Sequence, residues 1–267
     1  MTNYKSYFGF LREPFARDIP PDQLYPTPGL AAATDRVLYA ISLAAVSVIT
    51  GEVGAGKSTT LRYAASKLHP SQYRLIPVVA STGSPIEVYR QIALVLDSDG
   101  RTTSVARLTK TIRDILCDVL FRKMIPVLVI DEANLMRLEV FAELQTLAQF
   151  DFDSKPVLPI ILAGQNNLLD KLMFQTSKPL ASRVVGRTHL DGLKLKDMAG
   201  YLHHHLEIAG LTKNLFAEDA VLAIHQGSGG LLRRANALAR GALIAAAREN
   251  VQLVSGEHVR RAATEII

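Results

Sequence analysis

A single cysteine, Cys117, in 267 residues rules out an intramolecular disulfide and removes thiolate metal clusters from consideration. Set among Ile115, Leu116, Val119 and Leu120, this thiol reads as a small core side chain rather than a nucleophile. Long hydrophobic runs are missing as well. The longest, such as Pro156 to Gly164, fall far short of the roughly 18 to 20 residues a spanning helix needs, so no membrane insertion is expected. The opening Met1-Thr2-Asn3-Tyr4-Lys5 lacks a charged start followed by an apolar segment, which excludes a visible signal peptide and suggests a cytoplasmic protein. Charge of one sign is scarce too: 30 Lys and Arg against 25 Asp and Glu leave a net +5, compatible with nucleic-acid contact without requiring it. What the chain does have is apolar mass. At 48% hydrophobic and 21% charged it can bury a sizeable core, in one large domain or two modest ones.

The first 29 residues are rich in proline and aromatics (Tyr4, Tyr7, Phe8, Phe10, Phe15, Tyr25) and read as an irregular arm pinned by its rings. A helix is expected over Leu30 to Ala44, then a β-branched strand over Val46 to Thr50 that runs into a glycine-rich turn. Helices over Lys57 to Leu68, Pro85 to Leu96, Ser104 to Arg122 and about Leu138 to Phe150 alternate with strands over Tyr73 to Ala80, Val127 to Ile130 and Val157 to Leu162. Such alternation implies an α/β fold with a parallel sheet covered on both faces. From about Leu193 only helical patterns follow: Lys196 to Ala209, Glu218 to Gln226, Leu231 to Arg248, and a last one from about Ser255. The expected division is an arm over 1–29, a nucleotide-binding domain over 30–192 and a small all-α lid over 193–267.

Gly51-Glu52-Val53-Gly54-Ala55-Gly56-Lys57-Ser58 fits G-x-x-x-x-G-K-[ST] at every fixed position, directly after a strand and opening a helix. Glycines let backbone N–H groups converge on an anion, and the helix N-terminus adds unpaired donors and a favourable dipole. Lys57 supplies a positive charge to the β and γ phosphates of ATP, Ser58 can ligate Mg²⁺, and Thr59 follows in the first helical turn. Val127-Leu128-Val129-Ile130-Asp131-Glu132 is the second half of the site: a buried strand delivers two carboxylates at its C-terminal end, where open α/β sheets place ligands. Asp131 suits the metal and Glu132 suits the role of general base toward water.

Tyr7-Phe8-Gly9-Phe10 with Glu13-Pro14-Phe15, the loop from Gly51, Asp131-Glu132-Ala133-Asn134 and Ile161-Leu162-Ala163-Gly164-Gln165 together resemble the ExeA/GspA-type AAA+ ATPases. That family includes secretion-pathway assembly ATPases and the ATPase helpers of bacterial transposons, themselves similar to the TniB and TnsC group. The resemblance implies a P-loop AAA+ core followed by a helical lid, with ATP and Mg²⁺ as its cofactors. It also assigns roles by position. Gln165 matches sensor 1, and Ser182-Arg183 with Arg187 matches the arginine-finger box that reaches a neighbouring subunit. Gly230-Leu231-Leu232-Arg233 matches sensor 2, with Leu232 where members often carry proline, so that Arg233 or Arg234 takes the role.

Several features carry weaker signals. His203-His204-His205 cannot close on one ion, because adjacent helical side chains diverge by about 100 degrees; a partly exposed face is expected, with Leu202 and Leu206 toward the core. Asp151 and Asp153 flank Phe152 in what reads as a turn. Arg101, Arg107, Lys110, Arg113, Arg122 and Lys123 suit either phosphate contact in a ring or filament bore or a solvated helix face. Secretion-type members continue into a membrane helix, whereas this sequence stops at Ile267. On that ground the resemblance favours a transposition helper: a homo-oligomer of ATP-bound subunits on double-stranded DNA that recruits a transposase and is released by hydrolysis. The alternatives are a free-standing secretion-pathway assembly ATPase and a nucleotide-gated binding module with little turnover.

Overall fold

A computed structural model describes residues 4–265; the parts of the expected arm and lid at 1–3 and 266–267 lie outside the described residues. The chain forms two compact units, one of Pro28–Glu52 with Lys57–Leu190, the other of Met1–Thr27 with Val53–Gly56 and Asp191–Ile267. After a short helix α1 (Tyr4–Phe8), the first unit runs α2 (Pro28–Ser42), β1 (Val46–Gly51), α3 (Lys57–Ser66), β2 (Tyr73–Val79), α4 (Pro85–Val95), α5 (Val105–Phe121) and β3 (Ile125–Asp131). It continues with α6 (Leu138–Ala148), β4 (Ile160–Gly164), α7 (Asn167–Met173), α8 (Lys178–Ala181) and β5 (Val184–Leu190). All five strands pair in parallel, in the order β2-β3-β4-β1-β5.

Side-chain alternation along the strands separates two apolar layers. Leu75, Val127, Val129 and Ile161 meet Val37, Ile41 of α2 and Leu61, Ala64 of α3 on one face. Ile76, Val78, Leu128, Ile130 and Leu162 join α4, α5 and α6 on the other through Ile92, Ile112, Leu116, Phe141 and Leu144. β1 and β4 are buried at every position, as the two inner strands beside the loop must be in a doubly covered sheet.

Three elements depart from the sequence expectation. β5 has no counterpart among the strands expected from the sequence; its burial alternates along Val184–Leu190, with Gly186, Thr188 and Leu190 inward and Val185, Arg187 and His189 exposed, as befits a sheet edge. β4 starts at Ile160 rather than Val157, because Pro156 and Pro159 have no N–H to give a ladder. Cys117 is exposed, not in the core: Leu108, Ile112 and Leu116 form the buried stripe of α5, and the next residue is turned about 100 degrees away from it.

The second unit packs α9 (Leu195–Ile208), α10 (Glu218–Ser228), α11 (Leu232–Arg248) and α12 (Gly256–Thr264) around its own core. Phe8, Phe10 and Phe15 of the N-terminal arm are part of that core, and the arm is further tied down by Leu11 N–H to the Ala209 carbonyl at 2.9 Å and Arg240 to the Phe15 carbonyl at 2.6 Å. Leu202 and Leu206 face inward, but so does His205, which departs from the partly exposed face expected for the histidine triplet. Its ring stacks on Phe15 at 5.0 Å, while His203 and His204 meet the carbonyls of Thr212 and Gln23.

Burial, helped by the charge of His204, pushes the His205 pKa down to about 3. The unfolded chain protonates this ring near pH 6.5 while the folded chain does not, so acidification favours unfolding. The group therefore subtracts up to about 1.4 kcal/mol of stability per pH unit below about 6.5. Urea midpoints measured from pH 7.5 to 5 should fall more steeply for wild type than for His205→Phe; parallel slopes would contradict the assignment.

Candidate nucleotide site

β1 delivers Gly51 into a loop whose Gly54 and Gly56 have φ of +89° and +100°, and the loop closes onto the first turn of α3. That first turn carries no acidic residue, so the positive dipole end of α3 suits an anion. Lys57 is buried, and its Nζ donates to the carbonyls of Gly51 at 3.0 Å and Glu52 at 2.9 Å, which holds the ammonium across the loop. Ser58 is exposed and Thr59 half-buried immediately behind it. The tip of the loop, Val53 to Gly56, belongs to the compact unit of the helices. Within that unit the Arg233 N–H donates to the Gly54 carbonyl at 3.2 Å, and a Cβ on Gly54 would lie 2.8 Å from that of Arg233. Position 54 thus requires glycine twice over, for its φ and for this approach. Arg233 and Arg234 are both exposed; the main-chain bond belongs to Arg233.

The acidic half sits at the end of β3. Asp131 closes the strand, and Glu132 takes a left-handed conformation, φ +53° and ψ +33°, with its N–H donating to Asp131 Oδ1 at 2.9 Å. For a residue with a side chain this conformation costs about 1 kcal/mol. It turns the chain out of the sheet into a 3-10 turn over Ala133–Leu135.

Strand register shows what the sheet brings together. Thr50 pairs with Gly164, and Ile130 pairs with Leu162, which sets Asp131 level with Ala163 on β4 and with Ile49 on β1. β3 and β1 are two strand spacings apart, roughly 10 Å, and both end on the same edge of the sheet. Gln165 follows β4 between them, half-buried, its N–H donating to Asn134 Oδ1 at 3.0 Å. A serine hydroxyl, a carboxylate and phosphate oxygens are the hard donors Mg²⁺ takes, so Ser58 and Asp131 fit that ion.

Two arginines are not brought to this edge. The Arg183 carbonyl accepts from Val46 N–H at the start of β1, about 16 Å of strand from Gly51. Its guanidinium pairs with Asp153, in a turn where Asp151, Phe152 and Asp153 are all left-handed. Arg187 pairs in register with Val48, exposed on the edge strand and three residues short of the loop. Sequence reasoning assigned no part to Asn134 or Lys171, whose Nζ donates to the Asn134 and Met136 carbonyls. Asn134 stands next to the acidic pair in sequence, but nothing in the sequence marks Lys171.

A family described as an AAA domain matches residues 41–172, a span that holds the phosphate loop, Asp131, Glu132 and Gln165 but not Arg183, Arg187 or Arg233. The General secretion pathway protein A of Aeromonas hydrophila is 30% identical over 260 residues, which is 95% of this chain and 47% of that protein; the chain thus spans about half the length of this relative. Among solved structures, Cdc6p of Pyrobaculum aerophilum superposes with a TM-score of 0.72 at 15% identity over 98% of this chain and 71% of its own. The ORC1 protein of Aeropyrum pernix in complex with DNA gives 0.68 at 18% identity, covering 93% and 68%, and the RuvB branch migration motor of Thermotoga maritima gives 0.55 at 16%, covering 88% and 68%. The fold is that of the P-loop AAA+ proteins.

Removing the ammonium in Lys57→Ala should weaken ATP binding at least about tenfold, as a charge-assisted contact is worth roughly 1.5 to 3 kcal/mol. Equilibrium titration with a fluorescent ATP analogue measures this, and undiminished affinity would remove the loop from the site.

Proposed function

We propose that this chain, a P-loop ATPase of the AAA+ kind, hydrolyses ATP at a site shared between adjacent copies and uses that hydrolysis as an assembly switch. The reading rests above all on one observation: the phosphate loop, the Asp131–Glu132 pair and Gln165 end neighbouring strands on one edge of the sheet.

In this mechanism the loop N–H groups and Lys57 hold the triphosphate, while Ser58 and Asp131 hold Mg²⁺. The ion supplies charge neutralisation on the phosphate oxygens. Glu132 takes a proton from water as the water oxygen bonds to the γ-phosphorus, and the bond from that phosphorus to the bridging oxygen breaks to release ADP. Gln165 orients the water. Arg183 and Arg187 stand away from the loop of their own chain, which supports a finger role toward a neighbour's nucleotide, and Arg233 is the sensor-2 candidate because its main chain engages the loop tip.

For the coupled process, 30% identity across 95% of the chain to a general secretion pathway protein favours an assembly ATPase of that type. Half of the basic residues first weighed for DNA already have partners: Arg101 with Asp99, Lys110 with Asp114, and Arg113 with the Thr146 and Gln149 carbonyls at the end of α6. The likeness to an ORC1 protein solved with DNA supports the second reading, a transposition helper on double-stranded DNA that recruits a transposase. Binding of duplex DNA that falls steeply with salt supports the second reading; turnover and sedimentation indifferent to DNA support the first.

Glu132→Gln should keep its affinity for Mg²⁺–ATP and lose turnover by about 10² to 10⁴; turnover equal to wild type would refute hydrolysis at this site. Arg183→Ala should bind ATP and hydrolyse poorly, and mixing it with Lys57→Ala protein should recover activity. No recovery at any ratio would leave the shared site unsupported.

A further inference from the structure

The main-chain ladder between β3 and β4 ends at the pair Ile130 and Leu162, before either strand reaches its chemistry. Beyond it the turn carrying Glu132 and the segment carrying Gln165 are joined by side chains instead. Asn134 is buried, 4% exposed, and its Oδ1 accepts the Gln165 N–H at 3.0 Å. Lys171, on the helix that follows Gln165, donates from Nζ to the Asn134 carbonyl at 2.6 Å and the Met136 carbonyl at 2.7 Å, spanning the 3-10 turn. The approach is close enough to fix the residue at the end of β4: a Cβ on Gly164 would lie 2.7 Å from Asn134 Oδ1 and 2.9 Å from its N.

We infer that Asn134 and Lys171 are positioning residues for hydrolysis, tying the left-handed turn of Glu132 to Gln165 so that the base and the phosphate sensor keep one geometry. This rests on the hydrolysis reading above. A ladder could not do the work, because Glu132 leaves the sheet at its left-handed φ, and from there a side-chain acceptor is what reaches the Gln165 N–H. The acceptor side chain is buried and the donor half-buried, so deleting the acceptor takes this partner from the Gln165 N–H and frees the two segments to drift. Groups that orient catalytic residues without touching substrate act on the rate of the chemical step, with nucleotide affinity left to the loop.

The test compares turnover, Mg²⁺–ATP affinity and melting temperature of the full chain. Asn134→Ala should lose kcat by about 10- to 100-fold, as for other orienting partners, with affinity within about twofold and an intact fold. Asn134→Asp keeps an acceptor and should restore most of the rate, and Lys171→Met should show the same loss in kcat alone. Wild-type kcat in both Asn134→Ala and Lys171→Met overturns the inference, as does a loss confined to affinity or an Asp variant no better than Ala. If Asn134→Ala fails to fold, Lys171→Met decides alone. A normal loss in Glu132→Gln beside unaffected positioning variants overturns only this inference, whereas equal turnover of wild type and Glu132→Gln sinks hydrolysis itself and the inference with it.

Discussion

Parallel pairing in a fixed register places the carboxyl ends of β1, β4 and β3 side by side, and the chemistry of this protein depends on that alignment. A slip of one residue in either pairing would turn the core side chains of a doubly covered strand to the opposite face. The register is therefore held by burial along its length: Val48, Leu162 and Ile130 lie level in one apolar layer, and Ile161 and Val129 in the other. The site inherits its geometry from packing that contains no catalytic group. Where the ladder stops, at Ile130 and Leu162, Glu132 departs in a left-handed turn and polar side chains take over the task of alignment.

Placement of charge around the sheet has a direction. The loop edge gathers the ammonium of Lys57 and the carboxylates of Asp131 and Glu132, while Arg183 emerges at the start of β5, near the opposite edge. There it is neutralised by Asp153. In the reading proposed above, Arg183 exchanges that carboxylate for the phosphates of a neighbour's nucleotide, so the catalytic arginine is stored as an ion pair until copies assemble. The helical unit has a separate economy of contacts: Phe8, Phe10 and Phe15 of the arm contribute aromatic mass to a core otherwise rich in alanine from α11.

Much of this was legible in the sequence because the strongest signals are local. The phosphate loop needs glycines at fixed spacing between a strand and a helix, and Asp131-Glu132 needs a continuous apolar strand before it; both patterns survive without knowledge of neighbours. β5 did not, since an edge strand of Val-Val-Gly-Arg-Thr-His-Leu carries polar residues on its exposed face and a glycine that packs on Arg36. Cys117 and His205 were misplaced for different reasons. Cys117 lies one helical step past the buried Leu116, whereas His205 falls on the buried stripe of Met198, Tyr201, Leu202 and Leu206 and stacks on Phe15, 190 positions earlier in the chain. Long-range partners of that kind, like Lys171 with Asn134, leave no mark in local spacing.

The central claim is that a metal–triphosphate complex sits between Ser58 of the loop and Asp131 of β3. Pulsed EPR of Mn²⁺ substituted for Mg²⁺, with ATP bound to the otherwise inert Glu132→Gln protein, tests it most directly. The account predicts phosphorus hyperfine couplings from the bound nucleotide, lost or strongly reduced in both Ser58→Ala and Asp131→Asn. A metal signal with full phosphorus couplings that neither substitution alters would contradict it.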